Sequence, residues 1–317
     1  LGLWRNGLNV YTFSLLSVAW VLDSGHCRYK QLLQEPLVQG ILLFCFVLAL
    51  GMLWGGYPED DRIKWVKYFF LLNFIPFFSL LNVKKERVYW AAGALLIGAI
   101  FVFVLGVYQW LMMDGLGVPL FKMSYLSFSA MLGISALLSF YMAEQCKTSW
   151  IRFLLWFLTL LFLFVQFNQN GRGLLLSTLV ALFILILYLH RAHLKKLLLY
   201  FLLLSSIVLV YAYGSVSFQG RLFEMKRDFE HIQQGQYSTS IGYRIAMWDV
   251  GLRGIAERPL FGHGTGTPVS YFNETVKTYK GGIYKGLPDF LGTVHYHNDW
   301  IEVGMHTGLL GMLALAF

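Results

Sequence analysis

The sequence predicts an all-α integral membrane protein, a polytopic helical bundle of about nine spans with one large helical outer loop. Three observations carry this. Of 317 residues, 57% are hydrophobic and only 13% charged, where a soluble domain carries about 25% charged residues. Several apolar runs reach the roughly 18 to 20 residues that cross a bilayer. The long polar sequence, finally, falls in one place, residues 214–296.

Taken in order, the apolar runs at 8–22, 37–54, 66–82, 89–113, 125–143, 151–168, 173–189, 197–213 and 298–317 read as spans. The chain therefore divides into membrane helices over 1–213, a loop over 214–296 and a last span over 297–317. Basic charge in alternate short loops sets the orientation. One set holds Arg28, Lys30, Lys84, Lys85, Arg87, Lys147, Arg152, Arg191, Lys195 and Lys196. The other holds Arg5, Arg62, Lys64, Lys67, Lys122 and Arg172, diluted by Glu59, Asp60, Asp61 and Asp114. The positive-inside rule places the first set in the cytoplasm. Residues 214–296 then lie outside, in the periplasm of a Gram-negative cell. The chain starts without Met and stops at Phe317 inside an apolar run, so it reads as part of a longer protein with further spans.

The net charge of +8 fits cytoplasmic loop bias and contact with anionic lipids or phosphates, not nucleic acid. Cys27, Cys45 and Cys146 have no metal-ligand spacing, and Cys45 sits in an apolar run. Neither a disulfide framework nor a zinc site is expected.

The outer segment is patterned. Leu222, Met225, Phe229 and Ile232 form a helical stripe opposite a charged face, which suits a helix lying on the lipid interface. Residues 241–256 place Ile241, Ile245, Trp248, Leu252 and Ile255 on one seam. Pro259 stops that helix, and Gly262, Gly264 and Gly266 predict a tight turn after it.

Candidate chemistry gathers on the outer side. Arg172 lies in Asn168-Gln-Asn-Gly-Arg-Gly173, a short turn between spans. Glycines on both sides let the backbone bend and a ligand approach. A guanidinium there offers a planar charged fork to a phosphate; snorkelling to lipid headgroups is the plainer alternative. Arg244 opens the seam helix, where a solvated helix charge is again the plainer alternative, as for Arg253 and Arg258. Lys280 sits with Lys277 and Lys285 in a loop where lysines suit a glycan or phosphate, a solvated loop being the plainer alternative. His297 precedes Asn298 and Asp299, residues that suit a helix N-cap. Its neutral imidazole is a competent general base, with Asp299 or Glu302 to orient it. His295 competes for that role, and His306 reads as buried below the surface. His295 and His297 lack a convincing acidic partner for a metal, so no metal and no cofactor is expected. Walker, Gly-x-Ser-x-Gly and dinucleotide motifs are absent from the sequence.

The pattern resembles the bacterial O-antigen ligase family within the O-antigen ligase and polymerase superfamily. Three pieces carry the resemblance: Gly171-Arg172-Gly173; Arg244-x-x-x-Trp248 with Glu257-Arg-Pro259 and Gly262-His-Gly264; and His297-Asn298, nine residues, then Gly308-x-x-Gly311. Met312-Leu313-Ala314 departs from the Thr and Trp that often follow the second glycine. The resemblance implies an inverting, metal-independent glycosyltransferase at the periplasmic face of the inner membrane. The donor would be O-antigen on undecaprenyl diphosphate and the acceptor lipid A–core oligosaccharide. His297, Arg172 and Arg244 would be catalytic, with Asn298, His295, Arg253, Lys280 and Trp248 as substrate contacts. An O-antigen polymerase or a protein O-oligosaccharyltransferase of the same superfamily are the near alternatives. A membrane transporter is the alternative of another class, disfavoured because the clearest span interiors hold almost no ionisable groups.

Overall fold

A computed structural model describes residues 6–55, 66–121, 123–169, 171–214, 216–287 and 296–317. Along the chain its α-helices are α1 (Asn6–Leu22), α2 (Tyr29–Leu32), α3 (Pro36–Gly51), α4 (Phe74–Asn82), α5 (Lys85–Met113), α6 (Tyr125–Gln145), α7 (Ser149–Asn168), α8 (Arg172–His190), α9 (Leu194–Gly214), α10 (Val216–Gln233), α11 (Ser240–Glu257), α12 (Pro268–Thr275) and α13 (Asp299–Ala316). No strand occurs among the described residues, only an isolated bridge between Val118 and Met123.

Four of these helices are long and apolar enough to cross a membrane: 85–113, 125–145, 149–168 and 173–190. A fifth span is possible if the bent pair Gly25–Leu32 and Pro36–Gly51 counts as one. Hydropathy reads nine spans, and prolines mark two places where the described residues depart from a single straight helix. Pro36 starts α3 after an extended Glu35, because the residue before proline avoids the helical region, and the pair bends by 90°. Pro76 cannot donate to the preceding turn. The run at 66–82 is accordingly a 3-10 helix over Val66–Asn73 followed by the nine-residue α4.

The chain forms two compact units: Leu1–Asp23 with Leu80–Tyr211, and Ser24–Ser79 with Ala212–Phe317. The first is built around α6. Phe128, Leu132, Ala136 and Phe140 recur every four residues on one buried face, the spacing that keeps side chains in line along a helix. They pack with Phe162 and Leu163 of α7 and with Leu182 and Ile186 of α8. Several polar groups cross-link this core: Ser139 with Thr159 at 2.9 Å, and Gln166 donating to Ser129 O and Thr178 Oγ1. On α5, by contrast, Trp90, Ile97, Phe101, Val104 and Leu111 are exposed, an apolar surface that suits lipid.

The second unit is built around α13, which packs against both α3 and α11. Every residue from Ile301 to Gly308 is buried. The face that α11 turns inward is not the expected seam. Gly242, Ala246, Met247, Val250, Gly251 and Gly254 are buried, whereas Trp248 and Leu252 are exposed. Close approach is the reason. A Cβ added to Gly251 would lie 2.4 Å from Ile301, and one on Gly254 2.5 Å from Met305 Sδ. Small residues face the partner helix and the bulky ones are left outside.

Candidate active site

The turn after α11 is inserted into α13. Gly262, Gly264 and Gly266 all have positive φ, and Gly308 kinks α13 at φ 64°, ψ −154°. The kink exchanges hydrogen bonds. Met305 O and His306 O accept from the N–H groups of His263 (2.8 Å) and Gly264 (2.9 Å). The N–H groups of Leu309 and Leu310, their usual i+4 partners, donate instead to Pro259 O and Leu260 O. Thr265 fastens the turn to the end of α3, its N–H to Gly51 O and its hydroxyl to Leu48 O, both at 2.9 Å.

Ahead of α13 the chain forms a hook. Tyr296 is fully buried and held at three points. Its carbonyl accepts from Trp248 Nε1 (2.9 Å), its hydroxyl donates to Pro268 O (3.0 Å), and its N–H donates to Glu302 Oε2. His297 follows in a left-handed conformation, φ 52°, and is exposed. For a residue other than glycine this conformation costs about 1–2 kcal/mol. Asn298 then caps α13, its side-chain oxygen accepting from Trp300 N (3.0 Å) and Ile301 N (3.3 Å).

Beneath the hook lies a buried polar chain. Glu302 and His306 are both about 2% exposed. Gly266 N–H donates to His306 Nδ1 at 3.0 Å, so that nitrogen carries no proton and Nε2 does. Nε2 faces Glu302 Oε1 at 3.4 Å.

Arg244 is exposed on α11, one turn before Trp248. Side chains four apart on a helix have Cβ atoms about 6 Å from each other, so Arg244 shares a face with the tryptophan that ties down the His297 hook. Trp248 is thus linked through Tyr296 to His297 and Asn298, with Arg244 one helical turn before the tryptophan. Arg253 and Lys280 form a neighbouring cluster. Arg253 pairs with Glu257 at 2.8 Å and lies 4.5 Å over the Tyr279 ring. Lys280 pairs with Asp249 at 2.6 Å, beside the Tyr284 hydroxyl at 2.8 Å. Burial raises the Asp249 pKa, but hydrogen bonds from Lys280, Tyr284 and Tyr279 outweigh it and hold the carboxyl below its usual range.

Arg172 belongs to the first unit, as the first residue of α8 with Gly171 as its N-cap; its side chain lies outside the described residues. The turn before it is fixed by Gln169, whose Oε1 accepts from Gly117 N at 3.0 Å. The two flanking glycines differ. A Cβ on Gly171 would meet Ser129 Oγ at 2.8 Å, whereas Gly173 has open space around it. Only the first is required sterically. His295 lies outside the described residues. His263 is structural: buried, with Nε2 2.9 Å from Gly254 O and its ring against Tyr271. Burial lowers its pKa and keeps it neutral. Among the described residues no three His, Cys, Asp or Glu side chains gather as a metal site would require.

Tyr296 and the coupling of Glu302 to His306 were not read from the sequence as site features. The available signal was an i, i+4 pair of ionisable residues inside an otherwise apolar helix.

A family model described as O-antigen ligase matches residues 157–316, about half of the chain. The chain belongs to the O-antigen ligase family. Arg172, Arg244 and His297 all fall inside the matched region. An O-antigen ligase of Escherichia coli (strain K12) is 27% identical over 153 residues, covering 47% of this chain and 35% of that protein. An uncharacterized protein of Haemophilus influenzae is 32% identical over 85 residues, 27% of this chain and 20% of that protein. The chain thus spans about a third or less of the length of these curated relatives. Together with the four apolar helices, membership in the O-antigen ligase family marks a multi-pass helical membrane protein.

Proposed function

We propose that this protein is an O-antigen ligase. It moves O-antigen polysaccharide from undecaprenyl diphosphate to a sugar hydroxyl of lipid A–core, on the periplasmic face of the bacterial inner membrane. Residues 214–296 are the periplasmic segment, and His297 stands at the outer end of the last span. The single observation that carries the reading is His297: exposed, left-handed and fixed at the head of a buried helix.

In the proposed reaction His297 takes the proton from the acceptor hydroxyl as its oxygen attacks the anomeric carbon. The bond from that carbon to the diphosphate oxygen breaks, the electron pair leaves with the diphosphate, and the configuration inverts. General-base help of this kind contributes about a hundredfold to ten-thousandfold. Negative charge grows on the leaving diphosphate, and Arg172 and Arg244 are assigned to stabilise it. Arg172 begins a nineteen-residue helix, where free N–H groups and the helix dipole add to its charge in favour of an anion. Guanidinium groups take the place of a divalent cation, so the reaction is metal-independent. Asn298, His295, Trp248, Arg253 and Lys280 are the proposed contacts to the sugars and phosphates.

The test is transfer in detergent with EDTA present, from undecaprenyl-diphosphate-linked O-antigen to lipid A–core. Larger lipopolysaccharide that disappears with His297→Ala supports the reading. Longer lipid-linked chains without lipopolysaccharide would indicate a polymerase, and full transfer by His297→Ala would remove the base.

A further inference from the structure

We propose that Glu302 is a positioning residue for His297, an inference that rests on the reading of His297 as the base. Glu302 sits on the second turn of α13, and its backbone N–H bonds Asn298 O at 2.9 Å. Its side chain reaches back past the cap to the Tyr296 N–H. In the usual capping box a glutamate at the third helical position satisfies the N-cap N–H. Here the glutamate stands one position later and reaches two residues further back. Capping is already done by Asn298, whose oxygen takes two N–H groups. What the carboxylate adds is a fixed Tyr296, and therefore a fixed approach of the chain into His297.

The carboxylate itself is held in place. Its second oxygen faces the proton-bearing nitrogen of His306, and the other nitrogen of that ring is fixed by Gly266 N–H. A chain of contacts thus runs from the glycine turn through His306 and Glu302 to Tyr296. It sets the residue before the base from inside the protein, while Trp248 sets it from the outer face. A buried carboxylate is costly unless fully paired, and a left-handed histidine persists only when its surroundings over-determine it. The chain of contacts accounts for both features.

The experiment measures kcat, KM for the lipid-linked donor and the pH–rate profile of the full-length protein. Glu302→Ala frees the hook. A base displaced by about an ångström loses roughly a hundredfold in rate, so kcat should fall by about tenfold to a hundredfold with KM within about twofold. The acidic limb of the profile should stay in place. Glu302→Gln keeps an oxygen for the Tyr296 N–H but turns its amide N–H groups toward the protonated Nε2 of His306, so it should recover only part of kcat, to a value above that of Glu302→Ala. Trp248→Phe keeps an aromatic ring but removes the N–H that bonds Tyr296 O, so it loosens the same residue from outside without touching a buried charge; it should lower kcat whatever its effect on KM, and native kcat there decides against the inference even if Glu302→Ala fails to fold. Native kcat in Glu302→Ala or in Trp248→Phe overturns the inference. So does a Glu302→Gln enzyme no faster than Glu302→Ala, because the oxygen kept for Tyr296 would then contribute nothing. His297→Ala is measured alongside. Transfer that survives it removes the base reading and this inference with it; transfer lost there but intact in Glu302→Ala removes the inference alone.

Discussion

Replacing Gly308 by Ala tests the insertion of the glycine turn into α13. Gly308 sits at φ 64°, ψ −154°, a region essentially reserved for glycine, and holding another residue there costs about 1–3 kcal/mol. An added Cβ would lie 2.5 Å from Leu260 C, 2.6 Å from Leu260 O and 2.7 Å from Phe261 N. These are backbone atoms and cannot rotate away. The chain has one escape, in which the substituted residue becomes helical and α13 straightens. Met305 O and His306 O would then take Leu309 N and Leu310 N. The N–H groups of His263 and Gly264, both in buried residues, would lose their acceptors, at about 1–3 kcal/mol each. Either route costs about 2 kcal/mol or more once the clash or the second lost bond is included. In a chain of this size each kcal/mol moves the melting temperature by about 2 °C. Gly308→Ala should therefore melt about 4 °C or more below the native protein, followed by tryptophan fluorescence in detergent. Gly173→Ala is the matched control. That glycine is helical with nothing within 4 Å of an added Cβ, and alanine is the better helix former by about 1 kcal/mol. It should melt at or above the native temperature. A Gly308→Ala protein that melts with the native one would refute the interlock.

Three further outcomes follow from the same geometry. Asn298→Ala removes the acceptor for two N–H groups of α13 and should destabilise by about 1 kcal/mol, seen as a lower melting temperature. Arg244 is exposed and has no hydrogen-bond partner among the described residues. Arg244→Ala should leave melting within about 1 °C of native and cut transfer roughly a hundredfold or more, with Arg244→Lys recovering only part; native transfer by Arg244→Ala would remove its diphosphate role. The Asp249 pKa is depressed in the folded protein, so its stabilising contribution is complete above the ordinary carboxylate value of about 3.9 and is lost as pH falls through the folded value. The difference in melting temperature between the native protein and Lys280→Met should therefore shrink below about pH 4, and a difference unchanged down to about pH 2.5 would contradict that linkage.

Hydropathy was a sound guide where helices meet lipid. The runs at 89–113, 125–143, 151–168 and 173–189 correspond to the four helices long and apolar enough to span, because length and apolar content are the whole requirement there. It misled where protein packs on protein. On α11 the bulky apolar residues mark a seam at the wrong angle, since the helix meets α13 through Gly251 and Gly254, which hydrophobic periodicity gives no weight. At 66–82 composition could not register the division into a 3-10 helix and the nine-residue α4, which holds Pro76. The motif pieces were visible as spacings, but their coupling was not. Pro259 and the Gly262–Gly266 turn lie some forty residues or more before Gly308, yet they form one device in which a turn takes over four hydrogen-bonding groups of a helix. The candidate base lies at the head of that same helix. It is preceded by a pinned tyrosine, underlain by a buried glutamate and histidine, and itself held left-handed. Each of these features departs from a local rule, a non-glycine residue in the left-handed region or ionisable side chains buried in a helix. Such departures persist where a structure is constrained by function as well as by folding. Their concentration around His297, with Arg244 one turn from its tether, is the strongest physical argument for placing the chemistry there.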